Sequence, residues 1–117
     1  MTALDHTQDL SGVEQHRLTS LYDPPDFVKQ ASHDRLFGDP EELPKHAYAD
    51  ASAGLFPCHS APATWMSALF FYNKRNEIPA VKAASIEERI EAAADYFNIG
   101  QAVRDLKVKI AADSKND

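Results

Sequence analysis

The sequence has little of what small catalytic, metal-binding or nucleotide-binding sites are built from. Its one cysteine, Cys58, excludes an internal disulfide and any cysteine-rich zinc site. Its four glycines are scattered, so there is no glycine-rich loop to hold a phosphate group. With 12 basic against 18 acidic residues and a net charge of −6, it also lacks the cationic surface that direct nucleic-acid binding requires.

Long apolar segments are missing as well. The longest run, residues 65–72, is interrupted by Ser67 and is far shorter than the roughly 20 residues that span a bilayer. The amino terminus shows no basic-then-apolar signal pattern. We therefore expect a protein without membrane contact that tolerates a reducing compartment, with the cytoplasm as its default location.

The length of 117 residues is enough for one domain with a modest core. Residues 13–112 carry the apolar positions of a single helical domain. Residues 1–12 and 113–117 are polar and have too little apolar content to offset the entropy of ordering. These two segments are predicted to be flexible tails.

The first half of the chain is punctuated by prolines. Apolar spacing over residues 9–22 predicts a helix that stops at Asp23. Asp23 is then expected to cap a second helix, with Pro24 and Pro25 in its first turn, that ends near Gly38. A single turn is predicted at residues 39–42 before Leu43 and Pro44 break it.

The second half is more regular. Ser60 is predicted to cap a helix whose wide apolar arc, centred on Trp65, implies contacts on two sides. Ser85 and Glu88 form a capping-box pattern ahead of an amphipathic helix that ends at residues 98–100, and a last helix is expected over residues 101–112. Together with a short extended segment or hairpin near residues 46–59, the prediction is a mainly α, irregular domain of four to five helices.

The sequence offers one candidate pair for nucleophilic catalysis, Cys58 and His59. If residues 55–59 are extended, Phe56 and Cys58 project to one side while Leu55, Pro57 and His59 project to the other, so the thiol would not face its neighbouring base. The other reading is a small buried cysteine and a histidine at the helix start. His46 and His59 would converge only if the segment between them is a hairpin.

No catalytic residue, metal site or cofactor is predicted. The five histidines lack the close pairing of common metal motifs. Paired acids, Glu41 with Glu42 and Glu87 with Glu88, are explained as residues of first helical turns. Glu91 and Asp95 are four residues apart on an outer helix face, which is typical of a solvated surface.

A resemblance rests on Tyr48-Ala-Asp, on Leu55-Phe-Pro-Cys-His-Ser, and on Ala63-Thr-Trp-Met-Ser-Ala-Leu-Phe-Phe. This pattern resembles a small domain of tailed-bacteriophage structural and head-maturation proteins, firmly over about 25 residues and loosely over residues 22–99. No protease-like Ser-His pair accompanies it. The resemblance implies a virion-associated or assembly-associated module, located in the virion or host cytoplasm, that binds a capsid protein, another virion protein or further copies of itself.

The sequence is compatible with three functions. The first is a non-enzymatic phage virion or head-assembly protein, whose acidic charge would meet a basic protein surface rather than packaged DNA. The second is a cytosolic adaptor or regulator that docks an aromatic helix face into a partner's groove, and the third is a small enzyme centred on Cys58, His59 and His46. No small-molecule substrate is predicted. The candidate partner-binding residues are Tyr48, Phe56, His59, Trp65, Phe70 and Tyr72. Trp65 and its aromatic neighbours have helical spacing, at which such residues are more often part of the core.

Overall fold

A computed structural model describes residues 18–32, 36, 43–51 and 53–115 of the chain. Its helices are α1 (Asp26–Lys29), α2 (Ala61–Lys74), α3 (Ala80–Tyr96) and α4 (Gly100–Lys115), and its strands are β1 (Tyr48–Asp50) and β2 (Leu55–Pro57). Residues 18–21 form a further helical turn, and short 3-10 turns lie at Lys45–Ala47 and Arg75–Glu77. The predicted class, mainly α with a short hairpin, is confirmed.

Helix α2 is the centre of the domain. Its predicted cap is confirmed, because the Ser60 side chain accepts a hydrogen bond of 3.1 Å from the backbone N–H of Ala63. Every residue from Pro62 to Tyr72 is buried, and α2 packs against α1, α3, α4 and β2. A helix that is apolar around most of its circumference has to be enclosed in this way.

The buried polar residues of α2 have local partners. The Thr64 hydroxyl donates to the Ser60 carbonyl at 2.8 Å, and the Ser67 hydroxyl donates to the Pro57 carbonyl at 2.6 Å. Both hydroxyls therefore avoid the cost of an unpaired buried polar group. The bond from Ser67 also attaches the end of β2 directly to α2.

The strands form an antiparallel hairpin in which Tyr48 lies opposite Pro57 and Asp50 opposite Leu55. Gly54 has a φ of +68° in the connecting turn, a conformation that costs a glycine little. Asp50 is buried, and its carboxylate pairs with Lys82 of α3 at 3.1 Å. The hairpin is thus held against both α2 and α3.

The regular alternation of side chains along residues 55–59 depended on an extended backbone, and that condition is not met at Phe56. Residues 55–57 form β2, but Phe56 has a φ of +62°, which is outside the extended region. Leu55, Phe56 and Pro57 are all buried, and the Phe56 ring meets Phe71 edge-on with centroids 5.9 Å apart. Burial of the large ring offsets a backbone strain of about 1–3 kcal/mol.

Helix α3 begins six residues earlier than its capping-box pattern predicted, at Ala80 instead of Ile86. It starts directly after Pro79, and Ser85 lies inside the helix. The prediction that Glu87 and Glu88 belong to a first helical turn is therefore wrong, because both lie in the helix interior. Pro79 is the N-cap residue and provides no side-chain cap, but its carbonyl accepts the first helical hydrogen bond, from the N–H of Ala83 at 2.8 Å. At the other end Asn98 adopts a φ of +61°, while the N–H groups of Asn98 and Ile99 donate to the carbonyls of Asp95 and Ala94. This Schellman turn separates α3 from α4.

The inner faces of α3 and α4 complete the core. The residues that bury these faces are Ala83, Ile86, Ile90, Ala94, Val103, Leu106 and Ile110. Helix α4 continues to Lys115, beyond the predicted end at residue 112. None of the helices in the described ranges combines the length and the apolarity that a bilayer span needs.

The proline-rich entry differs from its prediction. Helix α1 ends at Lys29 rather than near Gly38, and Asp23 does not cap it, because Pro25 occupies the N-cap position. The Asp23 carboxylate instead pairs with Lys29 at 2.9 Å. The predicted helix over residues 9–22 is described only from residue 18, and the predicted turn at 39–42 and tail at 1–12 lie outside the described residues.

Candidate functional site

A surface groove of about 550 Å³ lies between the hairpin and the carboxyl-terminal half of α3. We call it the hairpin groove. Its hairpin wall consists of His46, Ala47, Tyr48, Ala49, Cys58 and His59. Its α3 wall consists of Arg89, Ala92, Ala93, Tyr96 and Phe97. The lining is mainly apolar with a few polar groups, which is the usual composition of a binding site.

The hairpin brings its two histidines to the same site. The N–H of Cys58 donates to the carbonyl of Ala47 at 2.8 Å, which extends the strand pairing by one step. His46 and His59 flank this bonded pair and both line the groove. The segment between His46 and His59 is therefore a hairpin, which is the condition that the sequence analysis set for the two histidines to lie close together.

Cys58 also lines the groove, but its thiol is not prepared for nucleophilic attack. Burial raises the pKa of Cys58 to about 12, and hydrogen bonds with Thr64 and with the backbone of Ala49 only partly oppose this rise. The sulfur lies 3.5 Å from the Phe56 carbonyl. A catalytic cysteine needs a lowered pKa so that its thiolate is present near neutral pH, and Cys58 has the opposite shift.

The α3 wall presents the most exposed aromatic side chain among the described residues. Tyr96 is 80% exposed, and its ring contacts Phe97 edge-on with centroids 4.9 Å apart. Ala92 and Ala93 lie one turn earlier and leave space beside the aromatic pair. Together they form a concave apolar surface with an aromatic edge.

A second polar site lies on the other side of α3, at Glu87. Its carboxylate accepts a hydrogen bond from the Tyr72 hydroxyl at 2.9 Å. It also pairs with Arg75 at 2.9 Å and with Lys107 at 2.7 Å. Glu87 thereby connects α2, the turn that follows it, α3 and α4 through one side chain that is only 12% exposed.

The surroundings of Glu87 keep it ionised. Burial acts to raise the pKa of this carboxyl group, but the hydrogen bonds from Lys107 and Tyr72 and the charges of Lys107 and Arg75 outweigh burial, so the pKa is lowered. The pKa of Tyr72 is raised by burial and by its bond to Glu87. These groups satisfy one another, which is the arrangement of a structural ion network rather than of an open reactive site.

Another surface depression, of about 460 Å³, lies between α1 and α4. It contains charges of both signs, including Lys29 and Lys109 alongside Asp23 and Asp105. Lys29 and Asp23 already pair with each other. Because its charges are mixed and partly paired, this depression shows no preference for one class of ligand.

Comparison with known proteins adds no relative. No protein-family model, curated protein or solved structure gives a significant match to this chain. Function must therefore be argued from the residues and geometry of the chain itself.

The six predicted partner-binding residues divide into two sets. Tyr48 and His59 line the hairpin groove. The other four are buried, and at most 8% of each side chain is exposed; they are Phe56, Trp65, Phe70 and Tyr72. In this structure these four side chains therefore pack inside the domain instead of forming an exposed stripe.

Sequence reasoning did not select the α3 wall of the groove. The available signal was Tyr96, because its position on the helix lies outside the face that buries Ile86, Ile90 and Ala94. Arg89 carried no such signal by itself. Metal binding has no support in the described ranges, where no group of three potential ligands occurs.

Proposed function

We propose that this chain is a non-enzymatic protein-binding module of a tailed bacteriophage, acting in the virion or during head assembly in the host cytoplasm. Its partner would be a capsid protein or another virion protein. The phage assignment rests on the resemblance carried by residues 48–50, 55–60 and 63–71. The binding assignment rests on the hairpin groove.

The observation that carries the binding proposal is the exposure of Tyr96 beside an apolar groove. Large aromatic side chains are usually withdrawn from water, and those left exposed in a concave apolar surface are typical of interfaces. Trp65, Phe70, Phe71 and Tyr72 are each at most 8% exposed. The contrast makes the hairpin groove, rather than the aromatic face of α2, the proposed contact surface.

The two other hypotheses are supported less well. An adaptor that docks through Trp65 would need that side chain at the surface, yet only 3% of it is exposed. An enzyme centred on Cys58 would need a thiol of lowered pKa, yet burial raises this pKa. An adaptor that used the hairpin groove would share the binding mechanism proposed here but not the phage context.

Quantitative mass spectrometry of density-purified particles from the source system tests the assignment. We expect a fixed copy ratio between this chain and the most abundant shell protein. Recovery in assembling heads but not in mature particles would restrict the role to assembly. Absence from both would contradict the phage assignment.

A further inference from the structure

We propose that the hairpin groove binds an apolar segment of a partner protein that carries a carboxylate, and that this carboxylate pairs with Arg89. The inference rests on the proposed protein-binding function and specifies the chemistry of the bound segment. It concerns the groove alone. The rest of the surface, with the overall charge of −6, would still favour a basic partner surface.

The ionisable groups of the groove are basic or neutral. Among the described residues, Arg89, His46 and His59 line it, and no aspartate or glutamate does. This composition is unusual for the chain, which contains 18 acidic residues against 12 lysines and arginines. Charge complementarity therefore favours an anionic group on whatever enters the groove.

Arg89 is exposed and is not engaged by an acid on its own helix. Carboxylates three or four residues away would pair with it along α3, but positions 85, 86, 92 and 93 are Ser, Ile, Ala and Ala. In the described part of the chain the ion pairs of α3 are made by Lys82 and Glu87. The planar guanidinium of Arg89 can thus offer a two-pronged hydrogen bond to an incoming carboxylate.

The apolar residues of the α3 wall indicate that part of the bound segment is apolar. Ala92 and Ala93 provide a shallow floor, and the Tyr96-Phe97 pair stands at its end. Tyrosine and arginine are the side chains most often found as interface anchors, and here they lie about two helical turns apart on one wall. An apolar side chain beside Tyr96 and an acidic one near Arg89 would occupy both anchors.

A matched pair of small probes tests this chemistry on the full chain. 3-Phenylpropionate and its neutral amide, 3-phenylpropanamide, share the same ring and length and differ in the charged group. We expect both to shift the NMR amide signals of groove residues, with the acid binding about threefold more tightly, as suits an exposed ion pair. In Arg89→Gln the two probes should bind equally, whereas the control Arg104→Gln, an exposed arginine outside the groove, should keep the difference.

The outcomes separate this inference from the proposed function. Equal binding of acid and amide to the wild-type groove would overturn carboxylate recognition and leave groove binding intact. Signal changes elsewhere, or none at millimolar probe, would overturn the groove as a binding site. If phenyl phosphate bound more tightly than 3-phenylpropionate, the groove would prefer a phosphate group, and the proposal of a carboxylate would be wrong. The copy ratio in particles tests the phage assignment independently of all three.

A photo-crosslinking amino acid at position 96 tests the occupant in the source cells. We expect the crosslinked peptide to come from a virion protein and to contain an aspartate or glutamate within a few residues of the apolar crosslink site. Crosslinking to a second copy of this chain would contradict the proposal that the groove binds a different protein. A crosslinked peptide without an acidic residue would overturn the proposed chemistry.

Discussion

On the side of α3 that faces α2 and α4, Glu87 receives a hydrogen bond from Tyr72 and ion pairs from two cations. On the side that faces the hairpin, Arg89 lies in a groove whose lining, in the part of the chain that the structure describes, includes no carboxylate, and the same wall carries a tyrosine that is 80% exposed. Residues two apart on a helix point in directions about 200° apart, so one helix serves both regions. The first region satisfies its polar groups internally and stabilises the fold. The second leaves charge and aromatic surface available for recognition.

The largest expected difference between these regions concerns their aromatic side chains. Trp65→Ala should lower the free energy of unfolding by about 3–5 kcal/mol, because it opens a cavity beneath a side chain that is 3% exposed. Tyr96→Ala should change it by less than about 0.5 kcal/mol. Urea denaturation of both variants measures the contrast. A stable Trp65→Ala variant that only lost partner binding would make Trp65 a surface anchor and refute the comparison.

The sequence predicted the helical core around α2 better than it predicted either of these regions, since it assigned Glu87 to a first helical turn and the structure places it in the interior of α3. Ser60 as a cap, the wide apolar arc of α2 and the inner face of α3 follow from local spacing, and the structure confirms them. The hairpin groove depends on β1 packing against α3, more than 30 residues away in sequence, and no local pattern reports such a contact. The left-handed backbone conformation of Phe56 was not predicted for a related reason. The contact that offsets its strain, between the Phe56 and Phe71 rings, joins residues that are distant in sequence.

The capping-box error has a local cause. Ser85 and Glu88 have the spacing of a helix start, but the stretch from Ala80 to Ala84 is also compatible with a helix and follows Pro79. The helix starts directly after Pro79, which is its N-cap residue, and the Ser-Glu pair is therefore part of its interior. Competing start signals of this kind are resolved by tertiary contacts, here the packing of Ala83 in the core.

The next largest effect is expected at Glu87. Glu87→Gln should destabilise the fold by about 2 kcal/mol, because it removes a charged acceptor shared by Tyr72, Arg75 and Lys107. Glu88→Gln, at the exposed neighbouring position, is the matched control and should change stability by less than about 0.5 kcal/mol. Equal losses in the two variants would mean that overall charge, not the network, determines the effect.

The pH dependence of the same residue gives a smaller, graded effect. The folded-state pKa of Glu87 is lowered, so its stabilising contribution is present above the unfolded-state pKa of about 4.3 and is lost as the pH falls through the folded-state value. The stability difference between wild type and Glu87→Gln should therefore shrink as the pH is lowered from about 5. Denaturation midpoints at several pH values measure it. A difference that stays constant down to acid pH would contradict the lowered pKa.

An effect of about 1 kcal/mol is expected at the turn that ends α3 beside the groove. Asn98 has a φ of +61°, which alanine tolerates poorly and glycine accepts readily. Asn98→Ala should be less stable than Asn98→Gly by about 1 kcal/mol. Thermal denaturation of the pair measures this difference. Equal stability would show that the left-handed turn is not required to position Phe97 and α4.

The smallest expected effect is at Arg89, and it tests the recognition side of the comparison most directly. Arg89→Gln should change the free energy of unfolding by less than about 0.5 kcal/mol, because the side chain is exposed and has no acid three or four residues away on α3. Lys107→Gln is the counterpart from the other side, and it should cost up to about 1 kcal/mol because Lys107 pairs with Glu87 at 2.7 Å. A large loss of stability in Arg89→Gln would show that this arginine supports the fold, and the groove would then lose the charged group on which its selectivity depends.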